Sequence, residues 1–332
     1  MARLRRVRRD DLTIARRRSG RGFTFLDAEG APVGDAEFRA RVRALAIPPA
    51  WQQVRIAAQA NAHIQACGID QAGRVQYIYH PDWEARRTRR KQRQLAALSA
   101  ALPRIRRRVR RDLEAPSGSK ELALAVGVAL IDRTAMRVGR ERYLESNGTR
   151  GAGTLFARDV AVTGDTVVLR FPAKSGKRAS YVVSDARLAR AIERLKSVPG
   201  RRLLAYHGAD GAPRRLRAED LNAYLREISG AAVTAKDFRT LHASALAAEA
   251  LSRLEPEASP AARKRQVAAV VRQVAGFLQN TPAITRQSYI APCLFRLFEG
   301  GRLAPLWQEG APRRDGLRQR EMRLGVVLSA AG

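Results

Sequence analysis

A chain of 332 residues that carries 62 lysines and arginines against 31 aspartates and glutamates, a formal charge of +31, repels itself when it becomes compact. Such a chain needs counterions or a polyanion against it, and the obvious polyanion is nucleic acid. A coding bias toward arginine accounts for arginine in place of lysine, but not for a two-to-one excess of basic over acidic residues. The rest of the composition is that of a globular protein, with length enough for two domains and one large core. Cys67 and Cys293 give neither a disulfide framework nor a metal-ligand spacing, and His63, His80, His207 and His242 are scattered. Any chemistry is therefore expected to use no metal and no other cofactor. The arginine-rich N-terminus has no apolar segment of the kind a secretory signal needs, and no stretch approaches ~18 apolar residues. The expectation is a cytoplasmic, nucleoid-associated protein.

Read along the chain, residues 1–22 form a basic arm with nine arginines. Phe23 to Leu26 reads as a strand, and Asp35 as the N-cap of a short helix that Pro48-Pro49 closes off. Between Val54 and Tyr79, short apolar runs broken at Gly68 and at Ala72-Gly73 predict an antiparallel sheet. Residues 84–94, with six basic residues and no large apolar one, read as a basic helical connector. A second basic run, Arg104 to Arg111, follows an expected helix break at Pro103. Both runs suit either a solvated face or a phosphate backbone.

Leu124, Val128, Ile131, Ala135 and Val138 have the spacing of an amphipathic helix. Continued to Tyr143, that helix would set Arg133, Arg137, Arg140 and Leu144 on one face. Val160–Val162, Val167–Phe171 and Tyr181–Val183 read as three strands joined by turns at 163–165 and 172–177. Helices are predicted after Ser184, with starts at Thr234 and Ser259-Pro260 and a short one between Pro282 and Pro292. The predicted architecture is α+β with two domains. A small antiparallel-sheet domain with short helices covers 1–83, a basic linker 84–94, and a larger, mostly helical domain with a small three-stranded sheet 95–332.

Several of these positions suit chemistry on a phosphodiester. Such chemistry needs a nucleophile, permanent cations around the phosphorus and an acid for the leaving oxygen. Arginine meets the second need because its planar fork grips two oxygens and keeps its proton. Arg137 and Arg140 lie on the predicted basic stripe. Lys174 and its competitor Lys177 sit in a hairpin turn, where a flexible stem lets a compact charge reach out and donate a proton. Thr234 and Asp237 have the spacing of a capping box, which puts Lys236 and Arg239 on a helix N-terminus that itself favours an anion. Tyr289 offers a phenol, which needs nearby cations to become a nucleophile. Taken alone, each residue is better read as packing or as a solvated charge; the case lies in their joint order.

Their order in the chain resembles the type IB DNA topoisomerases of the bacterial and poxvirus kind. In the N-terminal half the resemblance rests on IPPAW at 47–51, HIQACGID at 63–70 and GRVQYIYHPDW at 73–83. In the C-terminal half it rests on RVGRERYLESNGTRGAGTL at 137–155, FPAKSGK at 171–177, KDFRTLHAS at 236–244 and SYIAP at 288–292. The resemblance implies a tyrosine recombinase/type IB topoisomerase-like catalytic domain acting on duplex DNA as a monomer that closes as a clamp. It implies that Tyr289 attacks the phosphate to give a 3′-phosphotyrosyl link, with Arg137 and Arg239 on the nonbridging oxygens and Lys174 as the acid for the 5′-oxygen. Asn280 stands where many relatives have histidine; it cannot titrate, so its implied role is neutral hydrogen bonding to a nonbridging oxygen. Neither ATP nor metal is implied. Gln76, Tyr77 and Tyr79 are implied groove contacts, although strand alternation sets Gln76 opposite the two tyrosines. Arg140, Tyr143 and Lys236 are implied phosphate contacts, and Val75 replaces a basic residue common in relatives.

Two other readings compete. Tyrosine recombinases share the catalytic design but usually carry His-x-x-Arg where this chain has Lys236-x-x-Arg239, and they lack the IPPAW and QYIYHP blocks. A non-catalytic architectural or RNA-binding protein fits the charge equally well.

Overall fold

The computed structural model describes residues 3–309 and 318–331, with Ser175 described by its backbone alone. The chain divides into two compact units, Met1–Arg90 and Lys91–Gly332.

In the first unit the strands are β1 (Ile14–Ser19), β2 (Gly22–Leu26), β3 (Gln52–Ile56), β4 (Ile64–Ile69) and β5 (Val75–Tyr79), with α1 (Ala36–Ala44) between β2 and β3. They form one antiparallel sheet in the order β2-β1-β3-β4-β5. β4 is buried on both faces, so it reads as an apolar run rather than an alternation. On one side α1 packs Phe38 and Val42 against Ile14, Val54, Ile56 and Ala66; on the other, Val7 and Leu12 cover Ile64 and Cys67. The Asp35 carboxylate caps α1 by accepting from the Phe38 N–H at 2.8 Å. The basic arm therefore holds structure: residues 14–19 supply an interior strand, and Val7, Leu12 and Ile14 are buried. Three consecutive arginines on β1 hide its apolar anchors from a pattern reading.

α2 (Pro81–Asp112) runs without interruption through Pro103, which corrects the expected break. Leu98, Leu102, Ile105 and Val109 form a buried stripe on both sides of the proline, and this packing holds the helix where propensity would end it. The second basic run is also not a solvated face throughout. Arg106 is paired inside the larger unit, and Arg108 and Arg111 bracket the buried Asp112.

The larger unit is built around α3 (Lys120–Thr134), whose residues from Leu122 to Asp132 are all buried. A helix apolar on every side belongs in a core, not on a surface. Around it in chain order come α4 (Glu141–Asn147), the antiparallel sheet β6 (Val160–Thr163), β7 (Thr166–Pro172) and β8 (Arg178–Ser184), and α5 (Ala186–Lys196). A hairpin of β9 (Ala205–His207) and β10 (Pro213–Arg215), which the periodicity did not announce, precedes α6 (Ala218–Ser229). Then follow α7 (Ala235–Ser252), α8 (Pro260–Leu278), α9 (Pro282–Ser288), α10 (Pro292–Glu299), α11 (Leu303–Gln308) and α12 (Gln319–Ala330). The three-stranded sheet lies where the sequence predicts it. Among the described residues no helix is long and apolar enough to cross a membrane.

The expected continuation of α3 through Tyr143 is wrong. Ala135 takes a left-handed conformation, φ 53°, and ends the helix; its N–H returns to the Ile131 carbonyl. Residues 136–140 are irregular, and α4 begins anew at Glu141. Arg133, Arg137 and Arg140 thus form no helical stripe, and Arg133 instead pairs with Asp185.

Candidate active site

Arg137 owes its position to backbone rather than to a helix. Its carbonyl accepts from the Ala152 N–H at 2.9 Å, and the Val138 carbonyl from the Gly153 N–H at 2.7 Å. Gly139 has φ +79°, and a Cβ there would come within 2.4 Å of the Thr154 hydroxyl; a Cβ on Gly151 would reach the Arg137 carbonyl at the same distance. Both positions need glycine because the two segments pass with no room for a side chain. The long block 137–155 is therefore one unit: its first part carries the arginine, and its last part holds that part in place.

Arg239 lies on the first turn of α7, nearly buried at 3% exposure. The Asp237 carboxylate steadies that turn by accepting from the Thr234 N–H and hydroxyl, both at 2.8 Å. Arg239 donates to the Ala135 carbonyl and, at 3.0 Å, to the Leu278 carbonyl, while its Nε is buried without a partner. The left-handed Ala135 that ends α3 thus also seats the second guanidinium. The end of α8 repeats the device: Gln279 is left-handed, φ 53°, and turns the chain so that Asn280 faces Arg137. The Arg137 Nη2 donates to the Asn280 Oδ1 at 2.5 Å. The Asn280 Nδ2 stays buried with no hydrogen-bond partner.

Tyr289 caps the C-terminus of α9. The Ser244 hydroxyl donates to the Tyr289 carbonyl at 3.3 Å and accepts from the Ala291 N–H at 3.1 Å, pinning this backbone to α7. The Arg239 guanidinium carbon is 5.1 Å and the Lys236 Nζ 5.7 Å from the centre of the Tyr289 ring. Burial pushes the phenol up, but Arg239, then Lys236 and Arg137, pull it down further, and it ends below the ordinary tyrosine value. Burial, and after it the like charge of Arg137, lowers Arg239 itself, while the Tyr289 and Tyr181 phenols offset part of this.

Four of the five expected catalytic side chains, Arg137, Arg239, Asn280 and Tyr289, therefore converge. Lys174 does not touch them. It is exposed on the short 3-10 turn Lys174–Gly176 that joins β7 to β8, and Lys177 at the other end of that turn is exposed as well. Gln76, Tyr77 and Tyr79 all lie on the edge strand β5. The two tyrosine rings share a face, with centres 6.1 Å apart, and Gln76 turns away to donate to Asp70 at 2.8 Å. Arg140 is the exposed N-cap of α4, Tyr143 is 46% exposed with its hydroxyl held by Arg142, and Lys236 is exposed beside Tyr289.

Sequence reasoning missed Tyr181, a half-buried phenol on β8 near both arginines. Burial pushes it up while Arg239 and Arg137 pull the other way. Its ring stacks on Phe171 at 6.1 Å. No local spacing marked it out, because only the folded chain brings this strand residue near the two arginines. Also missed was the convergence of Asp132, His242 and Glu321. These are metal-ligand types within 4.8 Å of one another, but the Arg106 fork bridges the two carboxylates.

The family described as "Eukaryotic DNA topoisomerase I, catalytic core" matches residues 80–291, and "Bacterial DNA topoisomerase IB, N-terminal domain" matches residues 22–70. The chain belongs to the type IB DNA topoisomerases. The DNA topoisomerase 1B of Acanthamoeba polyphaga mimivirus is 29% identical over 296 residues, covering 86% of this chain and 87% of the viral one. The DNA topoisomerase 1B of vaccinia virus (strain Copenhagen) is 22% identical over 237 residues, 69% of this chain and 71% of its own. For a type IB topoisomerase, the four converging side chains all fall inside the stretch that matches the catalytic core.

Proposed function

We propose that this topoisomerase relaxes supercoiled duplex DNA by cutting and resealing one strand through Tyr289. The carrying observation is the phenol of Tyr289 set beside Arg239, Lys236 and Arg137 and held below its ordinary pKa. Tyr289 gives up its phenol proton to solvent, and the phenolate oxygen attacks the scissile phosphorus. A Tyr289 O–P bond forms, the bond to the 5′-oxygen breaks, and a 3′-phosphotyrosyl link is left. Arg137 and Arg239 hold the nonbridging oxygens as charge develops on them, and the unpartnered Asn280 Nδ2 and Arg239 Nε supply further donors. Lys174, brought up when DNA is bound, gives its proton to the leaving 5′-oxygen. The cut strand swivels about the intact one, and the reverse attack by the 5′-hydroxyl reseals it. Exchange of one phosphodiester for another conserves bond energy, so no ATP is required. The charge usually assigned to a metal is carried by two guanidinium groups.

The net charge of +31 supports duplex DNA as the partner. On this reading the chain acts as a monomer that closes as a clamp, with Tyr77, Tyr79 and Gln76 in the groove and Arg140, Tyr143 and Lys236 on phosphates. The deciding experiment is plasmid relaxation without magnesium, together with detergent trapping of the covalent adduct. Wild type is expected to relax the plasmid and to leave an adduct. Tyr289→Phe is expected to bind DNA but do neither, and an undiminished adduct from Tyr289→Phe would end the proposal. Site-specific strand exchange without relaxation would instead identify a recombinase.

A further inference from the structure

A polar cluster lies behind the active-site arginines. Arg106 of α2 donates from Nε and Nη2 to the two oxygens of Asp132 on α3, at 2.8 Å each. From Nη1 and Nη2 it donates to the two oxygens of Glu321 on α12, at 2.7 and 2.8 Å. The Glu321 side chain is completely buried and that of Asp132 is 4% exposed. Glu321 also accepts from the Arg318 N–H at 2.9 Å, so the carboxylate is tied to the first turn of α12. The fourth member, His242 of α7, holds its buried Nε2 3.7 Å from Asp132. Burial pushes Asp132 up, but the hydrogen bonds and charge of Arg106, with His242, hold it well below the carboxylate range.

Buried ion pairs add little stability over apolar packing of the same volume. What they supply here is direction, because a guanidinium fork between two carboxylates permits one relative setting of three helices. The place of that setting matters. Asp132 stands three residues before Ala135, whose carbonyl receives Arg239, and five before Arg137. His242 stands one helical turn beyond Arg239 on α7. The cluster therefore ties the end of α3 to α2 and α12 just before the Ala135 carbonyl that seats Arg239, with His242 of α7 close by. α12 lies beyond both Tyr289 and the stretch that matches the family's catalytic core.

We propose that Glu321 is a positioning residue for strand cleavage, holding the end of α3 through Arg106 and Asp132 so that Arg137 and Arg239 keep their seats. The proposal rests on the reading of Tyr289 as nucleophile. The test compares the full-length protein with Glu321→Gln and with Leu324→Ala, which removes packing from the same helix at a buried position but leaves the carboxylate. Single-turnover adduct formation, DNA affinity, melting temperature and the titration of the Tyr289 phenol, followed by NMR of 13Cζ-labelled tyrosine and assigned with Tyr289→Phe, are measured on each.

Glu321→Gln is expected to slow adduct formation by roughly ten- to a hundredfold with DNA affinity unchanged, as a displaced catalytic group does. It is also expected to move the Tyr289 titration to higher pH, as Arg239 leaves the phenol. Leu324→Ala is expected to lower the melting temperature and leave the rate and titration alone. Asp132→Asn, which breaks the link at its α3 end, should reproduce both changes, and it takes the place of Glu321→Gln in the test if that variant does not fold. A Glu321→Gln protein with wild-type rate and titration overturns the proposal, as does a Leu324→Ala protein that matches it in both. Should wild type form no adduct, the nucleophile reading fails, while the titration still decides whether Glu321 positions Arg239.

Discussion

At the scale of single residues, the site works by spending backbone carbonyls on side-chain placement. Arg239 gives two donors to the Ala135 and Leu278 carbonyls, so its direction is set before any DNA arrives. Preorganised donors of this kind carry most of the stabilisation in sites that handle developing negative charge. Arg137→Ala is accordingly expected to slow single-turnover cleavage by about 10²–10³-fold with little change in binding. Lys236 stands 5.7 Å from the Tyr289 ring and helps to lower the phenol. Removing that cation raises the phenol pKa, so Lys236→Ala should displace the pH–rate profile of cleavage toward alkali. A profile that keeps its position would show that Lys236 acts on DNA alone. Gly139→Ala should cost both stability and rate, because its Cβ meets the Thr154 hydroxyl in a left-handed conformation that alanine adopts poorly. Thermal melting beside adduct formation measures the two costs together.

At the scale of elements, helix ends rather than helix faces present the proposed catalytic side chains. α3 stops at a left-handed alanine, α8 at a left-handed glutamine, and α9 at Tyr289 itself. The β7–β8 hairpin presents Lys174 on an exposed turn. Lys174→Ala should therefore leave the fold intact while cleavage falls by about 10²–10⁴-fold, the worth of a general acid. Lys177→Ala should be far milder, and equal losses would make the two lysines interchangeable. The cluster around Arg106 makes a separate prediction for stability. Its Asp132 carboxylate is held below its ordinary range, so its contribution is complete above the ordinary carboxylate pKa near 3.8 and is lost as pH falls below it. Arg106→Met should lower the unfolding free energy at neutral pH by about 3–5 kcal/mol, the usual result of leaving buried charge unpaired. In urea titrations that deficit should shrink as acid protonates Asp132. A deficit independent of pH would mean that Arg106 acts by packing alone.

For the whole molecule the dominant quantity is the charge of +31. Each phosphate that a lysine or arginine neutralises releases counterions, so affinity falls steeply with salt. With roughly six to ten such contacts, the loss between about 50 and 200 mM salt is about 10³–10⁵-fold. Filter binding across a salt series checks this, and relaxation should pass through an optimum. Full binding retained at high salt would contradict a clamp built on phosphate contacts.

Composition alone pointed to a polyanionic partner, because charge is additive and needs no fold to be counted. The three strands β6, β7 and β8 and the caps at Asp35 and Ser259 were legible too, since each depends on residues a few positions apart. The order of Arg137, Lys174, Arg239, Asn280 and Tyr289 was legible through its likeness to a family. What the chain's linear pattern misplaced were the features settled by distant packing. Pro103 sits inside a helix because apolar contacts on both sides of it outweigh its missing N–H. β1 lies inside a sheet although three arginines mask it. α3 ends at Ala135 because the Gly139–Gly151 crossing demands an irregular chain there. Tyr181 and the Arg106–Asp132–Glu321–His242 cluster join side chains from distant elements, so no local spacing announces them. Local patterns reveal what neighbouring residues decide together. Where a guanidinium finally points is decided by carbonyls that only the folded chain brings within its reach.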